Sequence, residues 1–174
     1  GWLGLYSGVA GGGDVILLPE IPYNIDSIAQ HLKKRCDAGK EFSIVVVAEG
    51  ALSETEALMD KKTFKKSRQA MQYSIGYRVA HELESATGIE SRVTVLGYVQ
   101  RGGTPVPYDR ALATLLGTEA VHMLARGEFG KMVALQNGRA IGVPLEDVAG
   151  KIKKVPLDSQ MIQAGREVGT CFGD

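Results

Sequence analysis

The sequence lacks the charge excess and the long apolar segments that mark several large classes of protein. Its 174 residues include 20 Lys and Arg and 20 Asp and Glu, which leave a formal net charge of zero. Nucleic acids and anionic membranes attract proteins through a positive field, so we expect neither as a partner. The longest apolar stretch, residues 2–10, is far shorter than the roughly 20 residues of a membrane-spanning helix.

Cysteine and histidine are also scarce. The two cysteines, Cys36 and Cys171, are far apart in sequence, and the three histidines, His31, His81 and His122, are isolated from one another. Zinc sites and disulfide frameworks need closely spaced ligands or many cysteines. We therefore expect no metal site and no disulfide, and we expect a reducing, cytoplasmic location.

What the sequence does have is an ordinary globular composition and an excess of glycine. It is 44% hydrophobic and 23% charged, and a chain of this length can bury one self-sufficient core. There are 22 glycines among the 174 residues, a share of about 13%, whereas the usual share is about 7%. Because glycine allows tight turns and close approach of backbone to a ligand, its clusters are the first places to look for a site.

Apolar runs and amphipathic segments alternate along the chain. Runs typical of buried strands occur at 14–20, 42–48 and 92–98, and helices are predicted at 1–11, 25–38, 66–86, 109–126, 145–151 and 158–167. Asn137-Gly138, between two short apolar runs, predicts a β-hairpin. The pattern predicts an α/β fold in which a parallel sheet carries helices on both faces, with the hairpin as a late antiparallel addition.

Polar side chains follow each predicted strand, where open parallel sheets bind their ligands. Glu20, Glu49 and Arg101 occupy these positions. Glu49 directly follows an apolar strand and can accept hydrogen bonds from sugar hydroxyls, although a solvated loop carboxylate explains the pattern equally well.

Arg101-Gly102-Gly103 combines a guanidinium with two glycines, a geometry suited to phosphate. An exposed arginine in a turn is the alternative. Arg92 opens the strand that Arg101 follows, so an extended chain would hold their backbones about 25 to 30 Å apart in one subunit.

The sequence lacks the motifs that would indicate a nucleotide-binding site or a serine hydrolase. The triple glycine at 11–13 follows a predicted helix and precedes a strand, the reverse of the order in a dinucleotide-binding fingerprint. The sequence contains neither a phosphate-binding loop ending in Gly-Lys-Ser or Gly-Lys-Thr nor a serine in a nucleophile elbow. A nicotinamide oxidoreductase and a serine hydrolase are therefore disfavoured.

Several stretches, in this order, resemble the C-terminal half of bacterial-type 6-phosphofructokinase. They are Ala10-Gly-Gly-Gly-Asp-Val-Ile-Leu-Leu-Pro-Glu-Ile-Pro22, Val45-Val-Val-Ala-Glu-Gly50, Arg92-Val-Thr-Val-Leu-Gly-Tyr-Val-Gln-Arg-Gly-Gly-Thr-Pro105 with Pro107-Tyr-Asp-Arg-Ala-Leu-Ala113, and Leu135-Gln-Asn137. The resemblance runs along nearly the whole chain. It implies a phosphofructokinase-like, Rossmann-type three-layer fold.

The resemblance implies transfer of a phosphoryl group to the 1-hydroxyl of fructose 6-phosphate. By that likeness, Glu49 binds sugar hydroxyls and Arg101 binds the 6-phosphate. Arg92 is implied to bind the 6-phosphate in a neighbouring subunit's site, which implies a homo-oligomer, either a dimer or a tetramer. Tyr98 stands where well-known bacterial enzymes commonly carry a phosphate-binding histidine, and a phenol donates a hydrogen bond but is not cationic at neutral pH.

Effector binding is implied for two further residues. Glu20 and Lys40 match members of the family's allosteric nucleotide site. Ala38 stands where a second lysine is usual. We therefore expect the effector site to depart from the family pattern.

The family's glycine-rich nucleotide loop, magnesium aspartate and catalytic-base aspartate precede the matched segment, and this sequence contains none of them. We therefore expect a fragment that supplies no catalytic residue and no metal ligand and that is inactive alone. Mg²⁺ and ATP, or pyrophosphate, are implied to bind mostly outside it.

The family layout implies that residues 1–99 form a sugar-phosphate-binding domain and that 100–150 return to the nucleotide-binding domain. Residues 151–174 then return to the first domain. The alternative is a non-catalytic sugar-phosphate-binding module, which would use Glu49 and Arg101 without a second domain.

Overall fold

The structure, a computed structural model, describes residues 1–70 and 73–174, which form two compact units. The first unit comprises Gly1–Val95 and Lys154–Asp174, and the second comprises Leu96–Lys153. The elements of the first unit are α1 (Trp2–Ala10), β1 (Val15–Leu17), α2 (Ile25–Asp37), β2 (Val45–Val47), α3 (Glu54–Ala57), α4 (Lys61–Ala70), α5 (Ile75–Thr87) and α7 (Gln160–Glu167). The second unit holds a 3₁₀ helix (Gly97–Arg101), α6 (Pro107–Ala125), β3 (Lys131–Gln136), β4 (Arg139–Pro144) and a second 3₁₀ helix (Leu145–Asp147).

β1 and β2 form the parallel sheet that the sequence predicts. Val15 pairs with Val45 and Leu17 with Val47, while Cys171 adds a parallel bridge to Val15. β1 therefore lies between two neighbours and is fully buried. The prediction that β2 is also fully buried is wrong, since its residues are half-buried. No strand among the described residues covers its outer edge.

Each face of the sheet has its own apolar core, because alternate residues of β1 point to opposite sides. Val15 and Leu17 pack with buried side chains of α2 and α5. Ile16 and Leu18 pack with buried side chains of α1 and α7 and with Phe172. The prediction of a parallel sheet with helices on both faces is therefore confirmed.

α2 begins at the predicted residue, Ile25, and ends at Asp37, one residue before the predicted end. The Asn24 side-chain oxygen accepts hydrogen bonds from the backbone N–H groups of Asp26 at 2.9 Å and Ser27 at 3.3 Å. These bonds satisfy two donors that the first helical turn leaves free. Gly39 follows the last turn with a φ of +82°, the left-handed conformation in which glycine commonly ends helices.

The single helix predicted over 66–86 is wrong. The structure has two helices, α4 and α5, and α5 begins at Ile75 after Ser74, which is extended with φ −62° and ψ 157°. The apolar stripe holds for α5, whose buried residues include Val79 and Leu83, whereas Met71 lies outside the described residues. The periodicity thus identified the buried face but missed the start of α5, which follows the extended Ser74.

The second unit contains the predicted hairpin. β3 and β4 pair antiparallel from Lys131↔Pro144 to Gln136↔Arg139. Asn137 and Gly138 have φ values of +50° and +77°, as a two-residue hairpin turn of this type requires. The helix predicted over 145–151 is wrong, because only a short 3₁₀ helix forms there.

α6 begins at Pro107, two residues before the start of the helix predicted over 109–126. The Asp109 carboxylate nevertheless accepts a hydrogen bond from the backbone N–H of Val106 at 3.3 Å. Of the described helices, α6 included, none is both long and apolar enough to cross a membrane.

The strand predicted over 92–98 is also wrong. Residues 92–96 have no regular structure, and a 3₁₀ helix begins at Gly97, whose φ of +50° turns the chain. A strand forms only with a partner to satisfy its backbone groups, and the described residues place no strand beside this segment.

Candidate functional site

Two turns follow the paired ends of β1 and β2, and each carries a predicted acidic site residue. In the first, Ile21 donates its backbone N–H to the carbonyl of Leu18 at 3.3 Å, with Glu20 between them. In the second, residues 48–51, which we call the Glu49 turn, Ala51 donates to the carbonyl of Ala48 at 2.9 Å. Parallel pairing of the strands places both carboxylates at the same end of the sheet.

The two turns also pack against each other. A Cβ atom built on Gly50 would lie 3.2 Å from Cγ of Pro19, closer than ordinary contact. An alanine at position 50 would require the Pro19 ring to shift by a few tenths of an ångström, so this glycine allows close packing of the two turns.

The Glu49 carboxylate is exposed at this end of the sheet. Among the described residues, no hydrogen bond or ion pair involves it. Its two oxygens are therefore free to accept hydrogen bonds from ligand hydroxyls.

Glu20 is placed differently. It is half-buried, and its Oε1 accepts a hydrogen bond from the backbone N–H of Val155 at 3.0 Å. Its Oε2 is buried without a hydrogen-bond partner among the described residues, beside Gly1. Through Oε1, the Glu20 carboxylate therefore links the backbone of Val155 to the turn that follows β1.

The structure does not bring the two predicted effector residues together within one chain. Glu20 follows the carboxyl end of β1, whereas the exposed Lys40 precedes the amino end of β2. Because β1 and β2 are parallel, these two residues lie at opposite ends of the strand pair.

The four predicted sugar-phosphate residues are divided between the two units. Glu49 and Arg92 belong to the first unit, and Tyr98 and Arg101 belong to the second. The Arg92 side chain is 89% exposed and lies 3.2 Å from the carboxylate of Glu90. Exposed pairs of this kind contribute little to stability, so the Arg92 guanidinium remains available to a ligand.

Arg101 ends the 3₁₀ helix, so the prediction that it follows a strand is wrong. Its side chain and that of Tyr98 are exposed. Gly102 donates its backbone N–H to the carbonyl of Val99 at 3.0 Å, and Gly103 has a φ of +91°. Residues with a side chain rarely adopt this left-handed backbone conformation, so Gly103 allows a tight loop directly after Arg101.

Sequence reasoning missed a buried ion cluster next to the Glu49 turn, formed by Tyr23, Glu56, Arg68 and Arg78 and called the Glu56 cluster below. Arg78 donates from Nη1 to Oε1 and from Nη2 to Oε2 of Glu56, both at 2.7 Å, and also from Nη2 to the Tyr23 hydroxyl at 2.7 Å. Arg68 Nε lies 3.3 Å from Glu56 Oε1. The backbone N–H of Ser53 donates to Glu56 Oε2 at 3.1 Å.

These contacts shift the pKa values of the cluster. The hydrogen bonds from Arg78, opposed by burial, lower the pKa of Glu56 to about 2, and the same bonds raise the pKa of Arg78. Burial raises the pKa of the Tyr23 hydroxyl, and it also raises that of the neighbouring Glu82 carboxyl. Glu56 is therefore charged at neutral pH and fully paired.

A local signal for this cluster is present in the sequence. Ser53 and Glu56 form a capping box at the start of α3, in which Ser53 Oγ accepts from the Glu56 N–H at 3.2 Å. The Ser-x-x-Glu pattern predicts such a helix start. The two arginines that pair with Glu56 carry no comparable local signal, because their contacts are made between separate helices.

The described residues show no group of three or more His, Cys, Asp or Glu side chains placed to hold a metal ion. Cys36 is exposed and Cys171 is half-buried, and both are free thiols.

Comparison with known proteins gives the family of the chain. A family model described as phosphofructokinase matches residues 1–124. An ATP-dependent 6-phosphofructokinase of Spirochaeta thermophila is 59% identical over 175 residues, covering all of this chain and 48% of that protein. A second, from Propionibacterium freudenreichii subsp. shermanii, is 50% identical over 192 residues and is covered to 52% of its length.

The fold agrees with this match. A crystal structure of Pichia pastoris phosphofructokinase in the T-state aligns with 98% of this chain and 16% of its own chain, at 28% identity and a TM-score of 0.61. The chain spans about half the length of the curated relatives it matches. With the family model matching well over half of its residues, the chain belongs to the phosphofructokinase family.

Proposed function

We propose that the chain supplies the sugar-phosphate site of a 6-phosphofructokinase that transfers a phosphoryl group from ATP to the 1-hydroxyl of fructose 6-phosphate. The observation that carries this proposal is 59% identity, over the whole chain, to a protein named ATP-dependent 6-phosphofructokinase. Since the chain spans about half of that relative, the remaining machinery belongs to the part that it does not span.

Glu49 is the residue we assign to the sugar hydroxyls. Its support is an exposed carboxylate at the carboxyl end of a parallel strand pair, where such sheets bind ligands. Arg101 is assigned to the 6-phosphate, because a guanidinium can bind phosphate through two parallel N–H groups. The exposed Tyr98 hydroxyl, three residues before Arg101, adds one neutral donor.

Arg92 is assigned to the phosphate in the site of a neighbouring subunit, so the working protein is a homo-oligomer. Its support is an exposed guanidinium that forms a surface pair with Glu90. In the same way, Glu20 and Lys40 would serve one effector ligand only if different subunits contributed them, because they lie at opposite ends of the strand pair.

The described residues do not fit a magnesium site, since they hold no suitable cluster of ligands. Phosphoryl transfer uses a metal ion to neutralise the charge that develops on the phosphates. We therefore assign no metal ligand and no catalytic residue to this chain. What its own residues do in this account is bind and orient the sugar phosphate.

The division of the chain into two compact units supports the proposed domain arrangement. The first unit would be the sugar-phosphate-binding domain, closed by the segment from Lys154, and the second would pack with the nucleotide-binding part of the protein. We place the protein in the cytoplasm, in keeping with its two free cysteines.

The experiment is a coupled assay of the full-length protein with fructose 6-phosphate, Mg²⁺ and either ATP or pyrophosphate. We expect turnover with ATP, and we expect none from the 174-residue chain alone. Pyrophosphate as the only productive donor would contradict the donor assignment.

Two other outcomes would contradict more of the proposal. Binding of fructose 6-phosphate without turnover with either donor would favour a non-catalytic sugar-phosphate-binding module. Turnover by the chain alone, abolished by Glu49→Gln, would show that Glu49 belongs to the catalytic machinery.

A further inference from the structure

The described residues bury one charged side chain, that of Glu56, which is 6% exposed. Burying a carboxylate is costly unless it is paired and hydrogen-bonded. The Glu56 cluster meets that requirement with two guanidinium groups and a backbone N–H. The cluster also contacts the Glu49 turn, and this contact indicates its role.

One arginine of the cluster reaches the turn itself. Arg68 Nη2 donates a hydrogen bond to the backbone carbonyl of Ala51, the last residue of the Glu49 turn. Ala51 is fully buried, so this acceptor has no access to water. The other end of the turn is fixed by the backbone N–H of Ala48, which donates to the carbonyl of Leu17 at 3.0 Å. The turn is thus anchored to β1 at one end and to Arg68 at the other.

Arg68 is itself held in place from two sides. Its Nε lies 3.3 Å from Glu56 Oε1 as an ion pair without a hydrogen bond, and its Nη2 donates to Glu56 Oε2 at 3.5 Å. On the other side, its guanidinium carbon lies 5.3 Å from the centre of the Phe64 ring. A planar guanidinium can make both contacts and still donate to Ala51, whereas the ammonium group of a lysine cannot keep all of them. The cluster therefore fixes the direction of the Arg68 hydrogen bond.

We propose that Arg68, oriented by Glu56, is a positioning residue that holds the Glu49 turn in the geometry needed to bind the sugar hydroxyls. This inference rests on the proposed function of Glu49, and it adds a residue on α4 that does not touch the ligand. Without the Arg68 hydrogen bond, the buried carbonyl of Ala51 has lost its partner. The turn then shifts so that this carbonyl can accept a hydrogen bond from water, and the Glu49 carboxylate shifts with the turn.

The first test measures the turn directly and needs no activity. Hydrogen–deuterium exchange of the peptide covering residues 48–52 is compared in the full-length wild type, Arg68→Met and Lys65→Met. Lys65 is an exposed cation on the same helix and provides the matched loss of charge. We expect exchange in this peptide to be roughly tenfold faster in Arg68→Met and unchanged in Lys65→Met. Equal exchange in all three proteins would overturn the proposal.

The second test separates positioning from general destabilisation. In Arg68→Met, the KM for fructose 6-phosphate should rise on the order of tenfold while the KM for ATP stays as in wild type. Arg68→Lys should recover part of the loss, because it keeps a donor near Ala51. A proportional loss of kcat with both KM values unchanged would contradict a positioning role.

Failure of the inference and failure of the proposed function give different results. If wild type shows no turnover with fructose 6-phosphate, the proposed function is wrong, and the exchange measurement still decides whether Arg68 holds the turn. If wild type is active and Arg68→Met alters neither exchange nor KM, the inference alone is wrong.

Discussion

Glu56→Gln removes the charge of the Glu56 carboxylate while keeping its shape. The amide retains one acceptor, but its NH₂ group replaces an oxygen that accepts a 2.7 Å hydrogen bond from Arg78. Two donors then face each other in a buried site. We expect the free energy of unfolding to fall, and the structure allows the size of the loss to be worked out.

The pKa of Glu56 gives the electrostatic part. Lowering it from 4.5 to about 2 in the folded protein corresponds to about 3 kcal/mol, which solvent screening around the partly exposed arginines reduces to about 1 to 2 kcal/mol. This figure already includes the hydrogen bonds from Arg78, which are the main cause of the lowered pKa, so Glu56→Gln should cost about 1 to 2 kcal/mol at neutral pH.

The pH dependence identifies the cause. Because the folded protein lowers the pKa of Glu56, its contribution is complete above the unfolded value of 4.5 and is lost as the pH falls towards 2. The difference between wild type and Glu56→Gln should therefore shrink by more than half of its electrostatic part between pH 7 and pH 3. Other carboxylates titrate in both proteins and cancel in the difference.

Urea unfolding of both proteins, followed by circular dichroism at several pH values, measures this difference. Glu54→Gln is the matched control, since Glu54 lies on the same short helix and its contact with Asn24 is exposed. It should change the free energy of unfolding by less than about 0.5 kcal/mol. A Glu56→Gln loss that stays constant from pH 7 to pH 3 would refute the reasoning, because its cause would then not be the charge.

Two further predictions concern packing and capping. A Cβ at Gly8 of α1 would lie 2.5 Å from Cδ1 of the buried Ile16, so Gly8→Ala should cost about 1 to 2 kcal/mol. Gly76→Ala, where the nearest atom is 3.4 Å away, should be neutral or stabilising by up to about 0.5 kcal/mol, and equal effects in urea unfolding would contradict this packing. Asn24→Ala removes the cap of α2 and should cost about 1 kcal/mol, whereas an unchanged melting temperature would speak against the cap.

Local features of the fold could be predicted from the sequence. Asn24 and Gly39 mark the ends of α2, and Asn137-Gly138 marks the hairpin, because each acts on its own neighbours. The strand expected over 92–98 depended on a partner strand, which no local pattern reveals. Pairing is a long-range property, and an apolar run alone does not establish it.

In the candidate site, too, local features could be predicted from the sequence and long-range contacts could not. Glu49 could be singled out because it follows an apolar run, and the structure places it two residues after the end of β2 with an exposed carboxylate, while its binding role stays a prediction. The contacts of Glu56 with Arg68 and Arg78 span 12 and 22 residues of sequence and join three helices, so charge patterning alone did not suggest them. The structure thus adds the buried cluster that contacts the turn of the proposed ligand residue, Glu49.

The binding of fructose 6-phosphate to full-length Arg101→Ala is the measurement that tests the central claim most directly. A charge-assisted contact with phosphate contributes about 1.5 to 3 kcal/mol, so we predict a Kd roughly 10- to 150-fold higher than in wild type by calorimetry. Arg110→Ala, which removes an exposed cation from α6 in the same unit, should leave the Kd within about twofold. An Arg101→Ala protein that binds fructose 6-phosphate as tightly as wild type would contradict the sugar-phosphate site proposed for this chain.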